Sequence, residues 1–99
     1  MPLFVIIAQD KPDGLEHRLA VRPTHLEHLK TLGDQMVFAG PLLDENEKPQ
    51  GSMMVIEAAD LAAAKALTAQ DPFVKEGVFA SYEVKQWVWG INNPDKRGQ

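Results

Sequence analysis

Six consecutive residues near the start of the chain, Leu3-Phe4-Val5-Ile6-Ile7-Ala8, are apolar at odd and even positions alike. Successive side chains of a strand point to opposite faces, so such a run must be covered on both sides. It is too short to span a bilayer and runs straight into Gln9 and Asp10. It also lacks the basic start and cleavage site of a secretory leader. It predicts a buried strand, and no membrane partner.

The remaining segments follow the same reading. Asp10-Lys11-Pro12-Asp13-Gly14 is a turn, and residues 15–32 have helical spacing, with Leu15, Leu19, Leu26 and Leu29 forming a stripe. Gly33 ends that helix. Pro23 lies inside it and is expected to interrupt it near Arg22, turning His25 towards a cleft. Met36-Val37-Phe38-Ala39 is a second strand, stopped by a turn at Gly40-Pro41. A polar connection over 44–51 leads to a third strand at 52–57. Asp60 caps a second helix whose narrow face is Leu61, Ala64, Leu67 and Thr68. Asp71-Pro72, with Gly77 behind it, reads as one capped helical turn. Phe79 to Trp89 is the last strand.

The order β-α-β-β-α-β predicts a ferredoxin-like α+β fold, a four-stranded antiparallel sheet with two helices on one face. One domain over residues 1–90 is expected, followed by a polar tail, 91–99, with no packing signal. Two helices cover one sheet face, yet the first three strands are apolar on both parities. A homodimer in which the uncovered sheet faces meet resolves the surplus.

Composition narrows the chemistry. The 99 residues carry a net charge of −4 with no clustered Lys or Arg, which argues against nucleic acid. No cysteine is present, so disulfides and thiolate zinc sites are excluded, and a reducing cytoplasm fits. His17, His25 and His28 do not share a helical face with carboxylates at ligand spacing, so no metal is expected, and no nucleotide loop points to a cofactor. What remains is a cofactor-free acid–base site for a small-molecule substrate.

On an unbroken helix Arg18, Arg22, His25, Leu29 and Leu32 fall within roughly 80° of one another. Arg22 then points into the leucine stripe, where a bare guanidinium is costly. Either Pro23 re-phases the helix, or Arg22 reaches a polar pocket beside the core. A solvated face explains Arg18 and Arg22 as well as a site does. His25 alone reads as an ordinary histidine with satisfied nitrogens, and His17 and His28 as exposed. Asp71 reads as a helix cap, a role compatible with catalysis if one carboxylate oxygen holds the backbone while the other orients an imidazole. Ser52 is a strand-edge hydroxyl. Met53, Met54, Trp87 and Trp89 read as core and dimer contacts.

Ala8-Gln9-Asp10, Arg18-Leu19-Ala20-Val21-Arg22, His25-Leu26, Leu29-Lys30, Ala39-Gly40-Pro41, Gly51-Ser52, Asp71-Pro72-Phe73 and Gly77-Val78-Phe79-Ala80 occur in one order. Together they resemble the YciI-like (YCII) family, over the stretch from the first strand to about Trp89. The resemblance implies a dimeric α/β barrel related in fold to muconolactone isomerases and cofactor-free monooxygenases. It also implies a His–Asp site, which here maps onto His25 and Asp71. The clearest activity it implies is removal of HCl from a chlorinated hydroxyhydroquinone.

The expectation is therefore a cofactor-free lyase or isomerase acting on a small hydroxylated aromatic. His25 would move protons and Asp71 would support its cation. Arg18 or Arg22 would stabilise the phenolate or departing chloride, and Ser52 would position a ring oxygen. The alternative is a non-catalytic dimeric module that binds a small metabolite, with a cofactor-free oxygenase behind it.

Overall fold

In the computed structural model, residues 1–98 are described; residue 99, the end of the expected tail, lies outside them. The chain runs β1 (Leu3–Asp10), α1 (Leu15–Thr31), a short 3₁₀ turn (Gly33–Gln35), β2 (Met36–Leu43), β3 (Pro49–Glu57), α2 (Leu61–Ala69), α3 (Pro72–Lys75) and β4 (Phe79–Trp87). The strands form one antiparallel sheet in the order β2-β3-β1-β4, the ferredoxin-like arrangement. No helix among the described residues is long and apolar enough to cross a membrane.

The core lies between this sheet and the helices. Phe4, Ile6 and Ala8 of β1 and Met54 and Ile56 of β3 pack against Ala64 of α2 and Phe73 of α3. Each large side chain buried there contributes about 1.5–3 kcal/mol. Asp60 caps α2 as expected, its carboxylate accepting from the Ala63 N–H at 2.8 Å.

Several expectations about the elements need correction. β3 begins at Pro49 rather than at residue 52, taking in the end of the polar connection. Gly40-Pro41 is not a turn: β2 continues through it to Leu43. β2 has a neighbour on one side only, and an edge strand tolerates a residue without an N–H. Asp10 closes β1 rather than opening a turn. A bulge after Gln9 sets it opposite Phe79, which joins the core, and β4 ends at Trp87 rather than Trp89.

α1 is unbroken from Leu15 to Thr31, with Pro23 inside it. Pro23 has no N–H to give the Leu19 carbonyl, yet the helix runs through it, and both residues are exposed. The leucine stripe is not the buried face. Leu19 is 54% and Leu26 38% exposed, while the buried residues of α1 are Arg18 and His25, flanked by half-buried Val21 and Leu29. His28 is half-buried too, not plainly exposed.

The second sheet face is partly roofed by the chain itself. Phe38 on one edge strand meets Trp87 on the other, with ring centroids 6.2 Å apart, and Trp89 at 5.4 Å. Val55 pairs with Phe38 and Leu3 with Trp87, and both Val55 and Leu3 are fully buried. The tail adds to the roof, against the expectation that it would not pack. Arg97 Nε donates to Glu57 Oε1 at 3.0 Å, and Arg97 Nη2 donates to the Asp34 carbonyl. The Asn93 side chain accepts from the Arg97 N–H and donates to the Arg97 carbonyl, and Gly98 stands close against Leu3. Polar composition concealed this, because the tail is held by hydrogen bonds and one ion pair rather than by apolar anchors. Ile7, at 42% exposure, and Leu42, at 37%, stay uncovered at the other end of that face.

Candidate active site

The site is assembled from α1, α3 and the strands β1 and β3. α3 has only four residues, yet both its ends are secured. Asp71 caps it, with Oδ1 accepting from the Phe73 N–H at 2.9 Å and Pro72 in the first turn. At the other end the Val78 N–H donates to the Phe73 carbonyl and the Gly77 N–H to the Val74 carbonyl. Gly77 has φ +72°, the left-handed conformation this helix ending requires. Asp71 and Phe73 are thereby fixed in space.

α1 supplies Arg18 and His25, seven residues apart and so two turns along one face. His25 Nδ1 lies 2.8 Å from Asp71 Oδ1, with both side chains buried. A carboxylate has no proton to give, so Nδ1 carries the hydrogen and Nε2 is the nitrogen able to accept one. Asp71 is the imidazole's hydrogen-bond partner, and no buried side-chain nitrogen or oxygen among the described residues lacks a partner. Nε2 is thus not a buried atom without a partner, and His25 lines the cavity beside it. The imidazole stacks on Phe73 at 3.8 Å between centroids and 10° between planes, which fixes its tilt. The division of labour expected of Asp71 is corrected: one oxygen, Oδ1, takes both the cap and the imidazole.

Arg18 is the second buried centre. Its Nη1 donates to both carboxylate oxygens of Asp10 at 2.9 Å, and its Nη2 donates to Ser52 Oγ at 2.7 Å. Its guanidinium carbon lies 4.7 Å from the centroid of the same Phe73 ring. Asp10, Arg18 and Ser52 are all under 10% exposed. A buried guanidinium is tolerable only when paired in this way. Ser52 is positioned by Gly51, where a Cβ would stand 2.3 Å from the Ala8 carbonyl oxygen, so only glycine lets β3 approach β1 this closely.

A cavity of about 410 Å³, a size suited to a small organic ligand, opens beside these groups. Arg18, Arg22, His25 and Ser52 line its polar side and Met54, Leu29 and Pro41 part of its apolar side. All five residues singled out from sequence therefore meet here, Asp71 standing behind His25. Arg22 differs from the rest in being exposed. The helix places it beside a polar pocket without any re-phasing at Pro23. Sequence reasoning missed two residues. Asp10 has the parity of Phe4, Ile6 and Ala8, and a carboxylate on a core-facing parity demands a cationic partner. Phe73 supplies the stacking ring and a capped N–H, and no sequence signal marks it apart from core.

A model of the YCII-related domain matches residues 2–88. Protein YciI of Escherichia coli O6:H1 is 43% identical over 91 residues, covering 84% of this chain and 93% of that protein. An uncharacterized protein of Haemophilus influenzae is 44% identical over 90 residues, covering 83% and 92%. Among solved structures, the 5-chloro-2-hydroxyhydroquinone dehydrochlorinase TftG from Burkholderia phenoliruptrix, in complex with 2,5-dihydroxybenzoquinone, superposes with a TM-score of 0.80. It is 30% identical, and the match covers 89% of this chain and 95% of that one. An antibiotic biosynthesis monooxygenase matches at a TM-score of 0.54 and 17% identity, covering 88% and 96%, a likeness of fold. With the matched domain model spanning all of β1 to β4, the chain belongs to the YCII-related domain family.

Proposed function

We propose that this protein is a cofactor-independent acid–base lyase acting on a small hydroxylated aromatic, with elimination of HCl from a chlorinated hydroxyhydroquinone as its reaction. The observation that carries the reading is the buried His25–Asp71 hydrogen bond on the wall of a cavity suited to a small organic ligand. Support comes from the likeness to TftG. A relative from Emericella nidulans, 34% identical over 74 residues and covering 66% of this chain and 76% of that protein, is named for a benzaldehyde-derivative biosynthesis cluster, again an aromatic context.

In this reading Nε2 takes a proton from a ring hydroxyl and returns one to the chlorine-bearing carbon. The ring then holds a ketone, and chloride leaves as a second hydroxyl loses its proton. One proton has moved from oxygen to carbon, one leaves with chloride as HCl, and the product is a quinone. No external electron is needed. Asp71 stabilises the imidazolium that forms in between and holds the Nδ1–H tautomer. Arg18, held by Asp10 and donating in turn to Ser52 Oγ, forms with Ser52 a preset polar wall for the ring oxygen as it gains charge. The reading includes a homodimer through the sheet face that carries Ile7 and Leu42.

The test is chloride release from 5-chloro-2-hydroxyhydroquinone, with and without oxygen. The wild type should release chloride equally in both, and His25→Gln should lose activity at unchanged circular dichroism. Full activity in His25→Gln refutes the acid–base role. Tight binding of the quinol without turnover favours a metabolite-binding module instead.

A further inference from the structure

The cavity's charge is not balanced, and the imbalance says something about the ligand. The chain carries a net charge of −4, yet the described residues lining the cavity include two arginines and a histidine and no acid. Two of these groups are already accounted for. Arg18 is neutralised by both oxygens of Asp10, and His25 is held by Asp71. Arg22 is different: among the described residues it has no ion-pair or hydrogen-bond partner. It lies four residues after Arg18 and three before His25, about one helical turn from each and facing the same cavity.

From this we infer that the physiological ligand carries a carboxylate in addition to its hydroxyl, and that Arg22 is the residue that selects it. The inference rests on the acid–base reading of the same cavity and narrows its substrate class to chlorinated hydroxyaromatics that also carry a carboxylate, with 5-chloro-2-hydroxyhydroquinone as the neutral core on which the chemistry itself is tested. The ring lies along Met54, Leu29 and Pro41, the hydroxyl meets His25 and Ser52, and the carboxylate meets Arg22 at the mouth. A guanidinium suits this task because its planar donors match both oxygens of a carboxylate. The position at the mouth suits it too, because the arginine stays hydrated until a ligand arrives and pays no burial cost when the site is empty. Arg18 is less suited to this task, since its charge is already paired with both carboxylate oxygens of Asp10 and its Nη2 also donates to Ser52.

Isothermal titration of 2,5-dihydroxybenzoate and its neutral twin 2,5-dihydroxybenzamide tests this directly, because the two differ in charge and hardly in shape. Wild-type protein should bind the acid at least tenfold more tightly than the amide. Arg22→Gln should reduce that preference to threefold or less by weakening the acid alone, and Arg22→Lys should retain part of it. Because Arg22 is exposed, both variants should melt with the wild type. Equal affinity for acid and amide in the wild type overturns the inference, as does an Arg22→Gln variant that loses both ligands alike. So does failure of the acid to bind at all. The outcomes separate from those of the chloride assay. His25-dependent turnover without acid preference removes only the Arg22 assignment. Acid preference without turnover removes only the lyase.

Discussion

Replacing Asp71 by asparagine should remove a charge and little else, and the reason lies in a single oxygen. Oδ1 accepts from the Phe73 N–H at 2.9 Å and from His25 Nδ1 at 2.8 Å. In Asp71→Asn the amide oxygen must take that position, because the amide nitrogen would point its hydrogens at a backbone donor. Both hydrogen bonds survive, the Nδ1–H tautomer is kept, and asparagine caps a helix as well as aspartate does. What disappears is the charge. Hydrogen bonds to a charged group are worth about 1.5–3 kcal/mol net, against about 0.5–1.5 for neutral pairs. The difference of about 1–1.5 kcal/mol is felt most when His25 holds its second proton, and corresponds to a roughly tenfold fall in rate. Stability should drop by less than about 1 kcal/mol.

Asp71→Ala should behave differently. It deletes the cap, worth about 1 kcal/mol, and leaves buried donors with no acceptor, which costs about 1–3 kcal/mol more. The melting temperature should fall by about 10–25 °C for a domain of this size. Thermal denaturation followed by circular dichroism, chloride release and nitrogen-15 NMR of the imidazole read out stability, rate and tautomer separately. An asparagine variant that melts like the alanine variant would refute the shared-oxygen geometry. One with full activity would refute the role of the charge.

Gly51→Ala should destabilise the fold by about 1–3 kcal/mol and disturb Ser52, because the new methyl meets the Ala8 carbonyl at 2.3 Å; a melting curve matching the wild type would show that β3 can shift freely. Ile7→Glu should yield a folded monomer in sedimentation velocity if copies pair through the open end of the sheet face, where Ile7 is 42% exposed. A wild type that is itself monomeric at micromolar concentration refutes the dimer.

Much of the fold follows from local pattern. The doubly apolar β1, the helical spacing of residues 15–32, the Asp60 and Asp71 caps and the left-handed Gly77 each depend on neighbours in sequence, so reading the residues in order recovers the ferredoxin-like sheet. His25 and Asp71, 46 positions apart, could be paired in advance only through a family resemblance, since no local rule spans that distance. Tertiary structure decided what depends on partners. The face of α1 is an example: its leucines were the obvious core, but burying Leu19 and Leu26 would have turned Arg18 away from Asp10 and His25 away from Asp71. Pairing two polar groups outweighed the apolar stripe, and the displaced leucines ended at the cavity. Pro41 could remain in a strand because β2 turned out to be an edge, and the polar tail packs because Arg97 finds Glu57, 40 residues earlier. Periodicity reports which residues prefer to avoid water. It does not report which charged groups have found one another, and in this protein those pairings build the site.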